Sequence, residues 1–154
     1  MNGATSAREA GHGPFQLPLV LPELRVMPTP MQLFMFSAIT WNRHHIHYSA
    51  DAAHAEGLPD VVVQRSLIGN FFARHVEAWL GGQGRIARLV WRVTGPAVPH
   101  QWLHCQGAVQ DLSEAADGSA DGLQWRLKYQ GWLNAEGGRE VATAEGVLCI
   151  QAPN

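Results

Sequence analysis

Between Ser66 and Leu80 the residues Leu67, Ile68, Phe71, Phe72, His75, Val76, Trp79 and Leu80 recur at helical spacing. After Gly81-Gly82 the period drops to two and stays there. The first pattern is one broad apolar helix face over about four turns, with Asn70, Arg74, Glu77 and Ala78 off it. Ser66 is the expected N-cap, and the glycine pair supplies the backbone freedom that a helix end uses. The second pattern is a run of four strands. Ala87, Leu89, Trp91 and Val93 share one face of the first, opposite Arg88 and Arg92. The others are expected over 103–110, 123–133 and 140–151, with a hairpin at Asn134-Ala135-Glu136-Gly137-Gly138 between the last two. One helix cannot cover both faces of such a sheet. The strands must curl around it, and the sheet's edge or outer face calls for a partner chain, so a dimer is expected.

Ahead of the helix the chain is less regular. Residues 1–14 lack apolar content and are expected to be disordered, with no secretory pattern, and 15–30 read as an extended, proline-punctuated lead-in. Leu33 to Thr40 is short, apolar and aromatic-rich, and is predicted as a buried strand. A polar turn over 41–50, a short helix over 51–56 and an extended Val61-Val62-Val63 follow. Glu114 to Gly122 is a surface loop. With 154 residues, the remainder, 15–154, fits a single α+β domain.

Composition narrows the partners. A formal net charge of −2 with no basic stripe argues against nucleic acid and anionic membrane. The apolar stretch from Gln16 to Leu24 is broken by Pro18 and Pro22 and is far short of the roughly 20 residues that span a bilayer. Cys105 and Cys149 are distant in sequence and read as free thiols in a reducing, cytoplasmic setting.

The chemistry concentrates in Trp41-Asn42-Arg43-His44-His45-Ile46-His47-Tyr48, one short turn holding several groups that position or move protons. The start of the helix at Gln64-Arg65-Ser66-Leu67 supplies unpaired N–H groups and a dipole favouring negative charge. The segment from Ser37 to Tyr48, with Val61-Val62-Val63-Gln64-Arg65-Ser66-Leu67 after it, resembles the active-site region of MaoC-like, hot-dog-fold acyl-thioester dehydratases. The branch it most resembles contains mesaconyl-CoA hydratase and mitochondrial-type 3-hydroxyacyl-thioester dehydratases.

The resemblance implies a hot-dog fold, a long antiparallel sheet wrapped around one central helix. It also implies reversible addition of water to a trans-2-enoyl thioester of coenzyme A or acyl carrier protein, in a homodimer or dimer-based assembly. His47 matches the catalytic histidine. Asn42 matches a position that is Asp in most of the superfamily, and as an amide it orients water or substrate without exchanging a proton. His44 matches a second histidine of the branch. Gln64, Arg65 and Ser66 fall at the helix start, on the substrate side, with Gln64 standing for a His and Arg65 for a Gly.

Two other readings remain open. One is a non-catalytic acyl-thioester-binding or partner subunit of a hot-dog heterodimer, as Asn42 and Arg65 would suit. The other is an acyl-CoA thioesterase, for which Glu77, the only acid on the helix, lies far from the helix start. The histidines show no metal-ligand spacing, so neither metal nor cofactor is expected. His104 and Cys105 alternate faces of a strand and cannot act as a pair.

Overall fold

The computed structural model describes residues 15–115 and 122–151. The expected disorder of 1–14 falls outside that range, as does most of the 114–122 loop. The described chain runs β1 (Leu19–Val20), β2 (Leu24–Val26), α1 (Pro30–Thr40), a single 3-10 turn (His45–His47) and α2 (Ala50–Ala55). It continues with α3 (Arg65–Leu80), β3 (Gly84–Val93), β4 (Leu103–Glu114), β5 (Trp125–Ala135) and β6 (Glu140–Ile150).

The six strands form one antiparallel sheet in the order β1-β4-β5-β6-β3, with β2 also paired to β4. β4, β5 and β6 are consecutive neighbours, while β3 returns to pair with β6 along nearly its whole length, from Gly84↔Ile150 to Val93↔Ala142. Among the described residues the outer edge of β3 has no strand partner. The helix α3 lies across the inner face, and Ile68, Phe71, Phe72 and Val76 join Leu103, Leu127, Leu133, Val141 and Leu148 in one apolar core. This is the hot-dog arrangement.

The burial of α3 follows the stripe read from the sequence: Asn70, Arg74, Glu77 and Ala78 face solvent. Its C-terminus is closed by Gly81 in the left-handed conformation, with the Gly81 N–H donating to Glu77 O. At the other end the N-cap is Gln64, not Ser66, which is exposed in the first turn. Gln64 has extended backbone and caps nothing with its side chain, because that side chain is engaged elsewhere.

A buried polar pair pins the lead-in to α3. His75 Nε2 donates to Pro22 O at 2.9 Å, so Nδ1 accepts from the Tyr129 hydroxyl, also at 2.9 Å. A carbonyl can only accept, and that fixes the tautomer. Cys105 and Cys149 are both buried, free thiols.

Two local expectations are corrected. Residues 33–40 are helical, not a strand: Thr29 Oγ1 accepts from the Gln32 N–H and Pro30 stands at the first helical position, both helix-starting devices. Leu33 and Ser37, four apart, are the buried residues of that helix, while Met31, Phe34, Met35 and Ile39 remain exposed. In β3, a bulge between Ile86 and Arg88 inserts Ala87 and turns it outward. Ile86, Leu89, Trp91 and Val93 are therefore the residues packed on the core.

Candidate active site

The site is assembled where α1 ends. Trp41 closes the helix in the left-handed conformation, φ 53°, an unfavourable geometry for a bulky residue. The turn lets the Asn42 N–H reach back to Ser37 O at 2.9 Å, a Schellman-type bond that sets Asn42 beside the last turn of α1. Asn42 Oδ1 then accepts from the His44 N–H at 3.2 Å, an Asx turn that starts the loop.

His47 follows in the 3-10 turn and is 8% exposed. Its neighbour Ile46 accepts from the Val62 N–H at 2.9 Å, and His47 Nδ1 donates to Val62 O at 2.7 Å. The ring is thereby fixed as the Nδ1–H tautomer, with an unprotonated Nε2. Among the described residues, the sealed side-chain N and O atoms without a partner are Gln64 Oε1 and Gln101 Oε1. Nε2 of His47 is not one of them and has no hydrogen-bond partner among the described residues, which leaves it free to act as a base. Burial lowers the His47 pKa, with a smaller push from nearby His44, while the Val62 carbonyl opposes both.

His44 and His47 rings meet edge to face at 5.9 Å, yet His44 itself is exposed and bonds Glu56 Oε1 through Nε2 at 3.0 Å. Tyr48 donates its hydroxyl to Arg43 O at 2.9 Å and stands edge-on to Phe34. Between these elements lies a cleft of about 530 Å³, lined by Phe34, Ser37, Ala38, Trp41, Asn42, Arg43 and Tyr48.

The six sequence candidates are not gathered in one place, and His44, exposed on Glu56, stands off the cleft lining. Asn42 is on the cleft wall; His47 is not on its lining. Arg65 and Ser66 are exposed in the first turn of α3, also outside the lining. Gln64 is fully buried, and its Nε2 donates to Leu33 O at 2.7 Å and to Ser37 Oγ at 2.9 Å. It ties the head of α3 to α1. Sequence reasoning missed Ser37, Trp41 and Tyr48 as cleft residues. Trp41 and Tyr48 flank the loop motif, but a strand at 33–40 would have pointed Ser37 elsewhere. Among the described residues no group of three or more His, Cys, Asp or Glu is placed to hold a metal, and no helix is long and apolar enough to cross a membrane.

Residues 10–99 match the family model of hydroxyacyl-thioester dehydratase type 2. The chain belongs to this family. A curated relative, mesaconyl-C(4)-CoA hydratase of Chloroflexus aurantiacus, is 45% identical over 58 residues, which cover 36% of this chain and 21% of the relative. The match therefore spans about a fifth of that protein's length. Among solved structures, a chain of the ChsH1–ChsH2 complex from Mycobacterium tuberculosis superposes with TM-score 0.73 at 22% identity, covering 87% of this chain and 97% of that one. The (R)-hydratase from A. caviae gives TM-score 0.73 at 14% identity, with 90% and 98% covered. At those identities the two structures establish the hot-dog fold alone.

Proposed function

We propose that this dehydratase-family chain adds water reversibly to trans-2-enoyl thioesters of coenzyme A or acyl carrier protein, giving 3-hydroxyacyl thioesters. The observation that carries the reading is His47: a neutral imidazole, oriented by Val62 O and left with a free Nε2. In the proposed reaction Nε2 takes a proton from water as the water oxygen attacks C3. The resulting imidazolium returns that proton to C2 as the enolate collapses, so one side chain serves in turn as base and acid. Asn42 orients substrate or water, and the N–H groups of Arg65 and Ser66 stabilise the enolate oxygen from the helix start. His44 helps hold the loop through Glu56, and Gln64 acts from behind by fixing α1.

The unpaired edge of β3 supports a homodimer, which size-exclusion chromatography with light scattering would test by mass. The two free, buried thiols fit a reducing cytoplasm. The partner-subunit reading keeps one favourable observation, the amide at 42 in place of an acid. It predicts acyl-thioester binding with turnover only after another hot-dog chain is added.

The test is loss of the enoyl absorbance of crotonyl-CoA. His47→Ala is expected to slow hydration by about 10²–10⁴-fold with the folded state retained in the assay. Undiminished turnover would remove the assignment, and release of free thiol would select hydrolysis instead.

A further inference from the structure

The hydrogen-bond polarity around the cleft is fixed at two points by backbone groups. Gln64 Nε2 bonds Leu33 O, and a carbonyl can only accept, so this end of the Gln64 side chain is the NH2 group. Its second bond, to Ser37 Oγ, then fills an acceptor site of the hydroxyl. Ser37 keeps its own proton, and among the described residues no acceptor takes it. Asn42 is fixed in the same way: its Oδ1 receives the His44 N–H, so Nδ2 is the free end. Both residues line the same cleft, and the Asn42 N–H to Ser37 O bond holds them together at the close of α1. Ser37 is 5% exposed, so its hydroxyl has little access to bulk water. The other lining side chains are mostly apolar or aromatic. Two donors without a protein acceptor, set in an apolar wall, complement an oxygen with two lone pairs.

We propose that Ser37 Oγ–H and Asn42 Nδ2–H together form a two-donor site for a carbonyl oxygen of the acyl-thioester substrate. This assigns Ser37 a binding role and makes the amide at 42 useful as a donor, where a carboxylate would only accept. An attacking water is a poor occupant, because two donors would occupy the lone pairs it needs for attack. Two carbonyls on such a substrate have the right chemistry: an amide carbonyl of the pantetheine arm, which leaves the enolate oxygen to the start of α3, and the thioester carbonyl, for which Ser37 and Asn42 would take over that role from Arg65 and Ser66. The inference rests on the hydratase reading for its substrate, and the experiment separates the two.

Ser37→Ala, Ser37→Thr and Asn42→Ala would be compared with the unchanged chain in three measurements. These are crotonyl-CoA turnover, thermal melting, and the absorbance of bound cinnamoyl-CoA, whose conjugated carbonyl shifts to the red when hydrogen-bonded. If the site holds the thioester oxygen, Ser37→Ala and Asn42→Ala each lower kcat by about 10-fold or more and diminish the red shift. Ser37→Thr, which retains the hydroxyl, restores both. If it holds a carrier amide, KM rises about 10-fold in both alanine variants while kcat and the spectrum stay unchanged. Changes below about twofold in kcat, KM and spectrum, with melting unaltered, would overturn the proposal. So would losses that track a lowered melting temperature and are not rescued by Thr. A spectral shift in a chain that does not hydrate crotonyl-CoA would keep the donor site and remove the hydratase reading.

Discussion

Gly69 lies in the middle of α3, where helix propensity alone favours alanine by about 1 kcal/mol. The structure predicts the opposite sign for Gly69→Ala. A Cβ at that position would stand 2.4 Å from Cε2 and Cζ2 of Trp91, while carbon atoms normally approach to about 3.5 Å. The indole must retreat by about 1 Å, and it is held: Trp91 Nε1 donates to Arg65 O at 2.9 Å. Overpacking of this kind costs about 1–3 kcal/mol, and losing the hydrogen bond adds about 0.5–1.5 kcal/mol. Set against the propensity gain, the net is a destabilisation of about 0.5–3.5 kcal/mol. For a chain of this size each kcal/mol shifts the midpoint by roughly 2–4 °C, so Tm should fall by about 1–14 °C in a circular-dichroism melt. The Trp91 anchor also steadies the first turn of α3, whose N–H groups are proposed to face the enolate, so turnover should drop as well. An unchanged or raised Tm would refute the argument that Gly69 is required by the close approach of Trp91.

Two further outcomes concern the buried histidines and their partner. Burial lowers the pKa of both His47 and His75, so below about pH 6.5 the unfolded chain takes up protons that the native chain refuses. Stability should therefore be flat above about pH 7.5 and fall toward pH 5, by up to about 1.4 kcal/mol per pH unit for each histidine, as read by urea unfolding across pH. A rise in stability over that range would contradict the assigned neutral state. Tyr129→Phe strips the donor from His75 Nδ1 and leaves a buried acceptor unpaired, at an expected cost of about 1–3 kcal/mol in the same assay; a neutral effect would mean that the bond contributes nothing.

The legible parts of the sequence were those with an uninterrupted period. The α3 stripe and, past the bulge at Ala87, the alternation of β3 to β6 each place polar residues where the fold needs a wet face, so the pattern could be read directly. The helix α1 offered no such contrast. Leu33 is buried, but Phe34, Met35 and Ile39 are apolar and exposed, so inner and outer faces look alike and an apolar run passes for a strand. The informative signal was local, Thr29 followed by Pro30. Misreading α1 also hid part of the site, because only a helix brings Leu33 O and Ser37 Oγ, one turn apart, within reach of Gln64. The bond from His47 to Val62 was equally invisible, since the two are fifteen positions apart with a short helix between them. What the motif spacing did convey was the nearness of the loop to the Val61–Val63 segment that leads into α3.

The amide at position 42 has a mechanistic consequence beyond a missing acid. With a carboxylate there, two titrating groups can divide the proton transfers, one at each face of the substrate double bond. With Asn42, the proton-moving side chain of the proposed reaction is His47, and the same proton must leave water and arrive at C2. That requires both events on the face presented to Nε2, so water and proton add from one side. Dehydration then also begins with neutral His47, which removes the C2 proton and returns it to the departing hydroxide. Forward and reverse reactions thus call for the same protonation state, the one that burial of the ring already favours near neutral pH. The depressed basicity of His47, a liability for binding protons, suits a group that must give its proton back within each turnover.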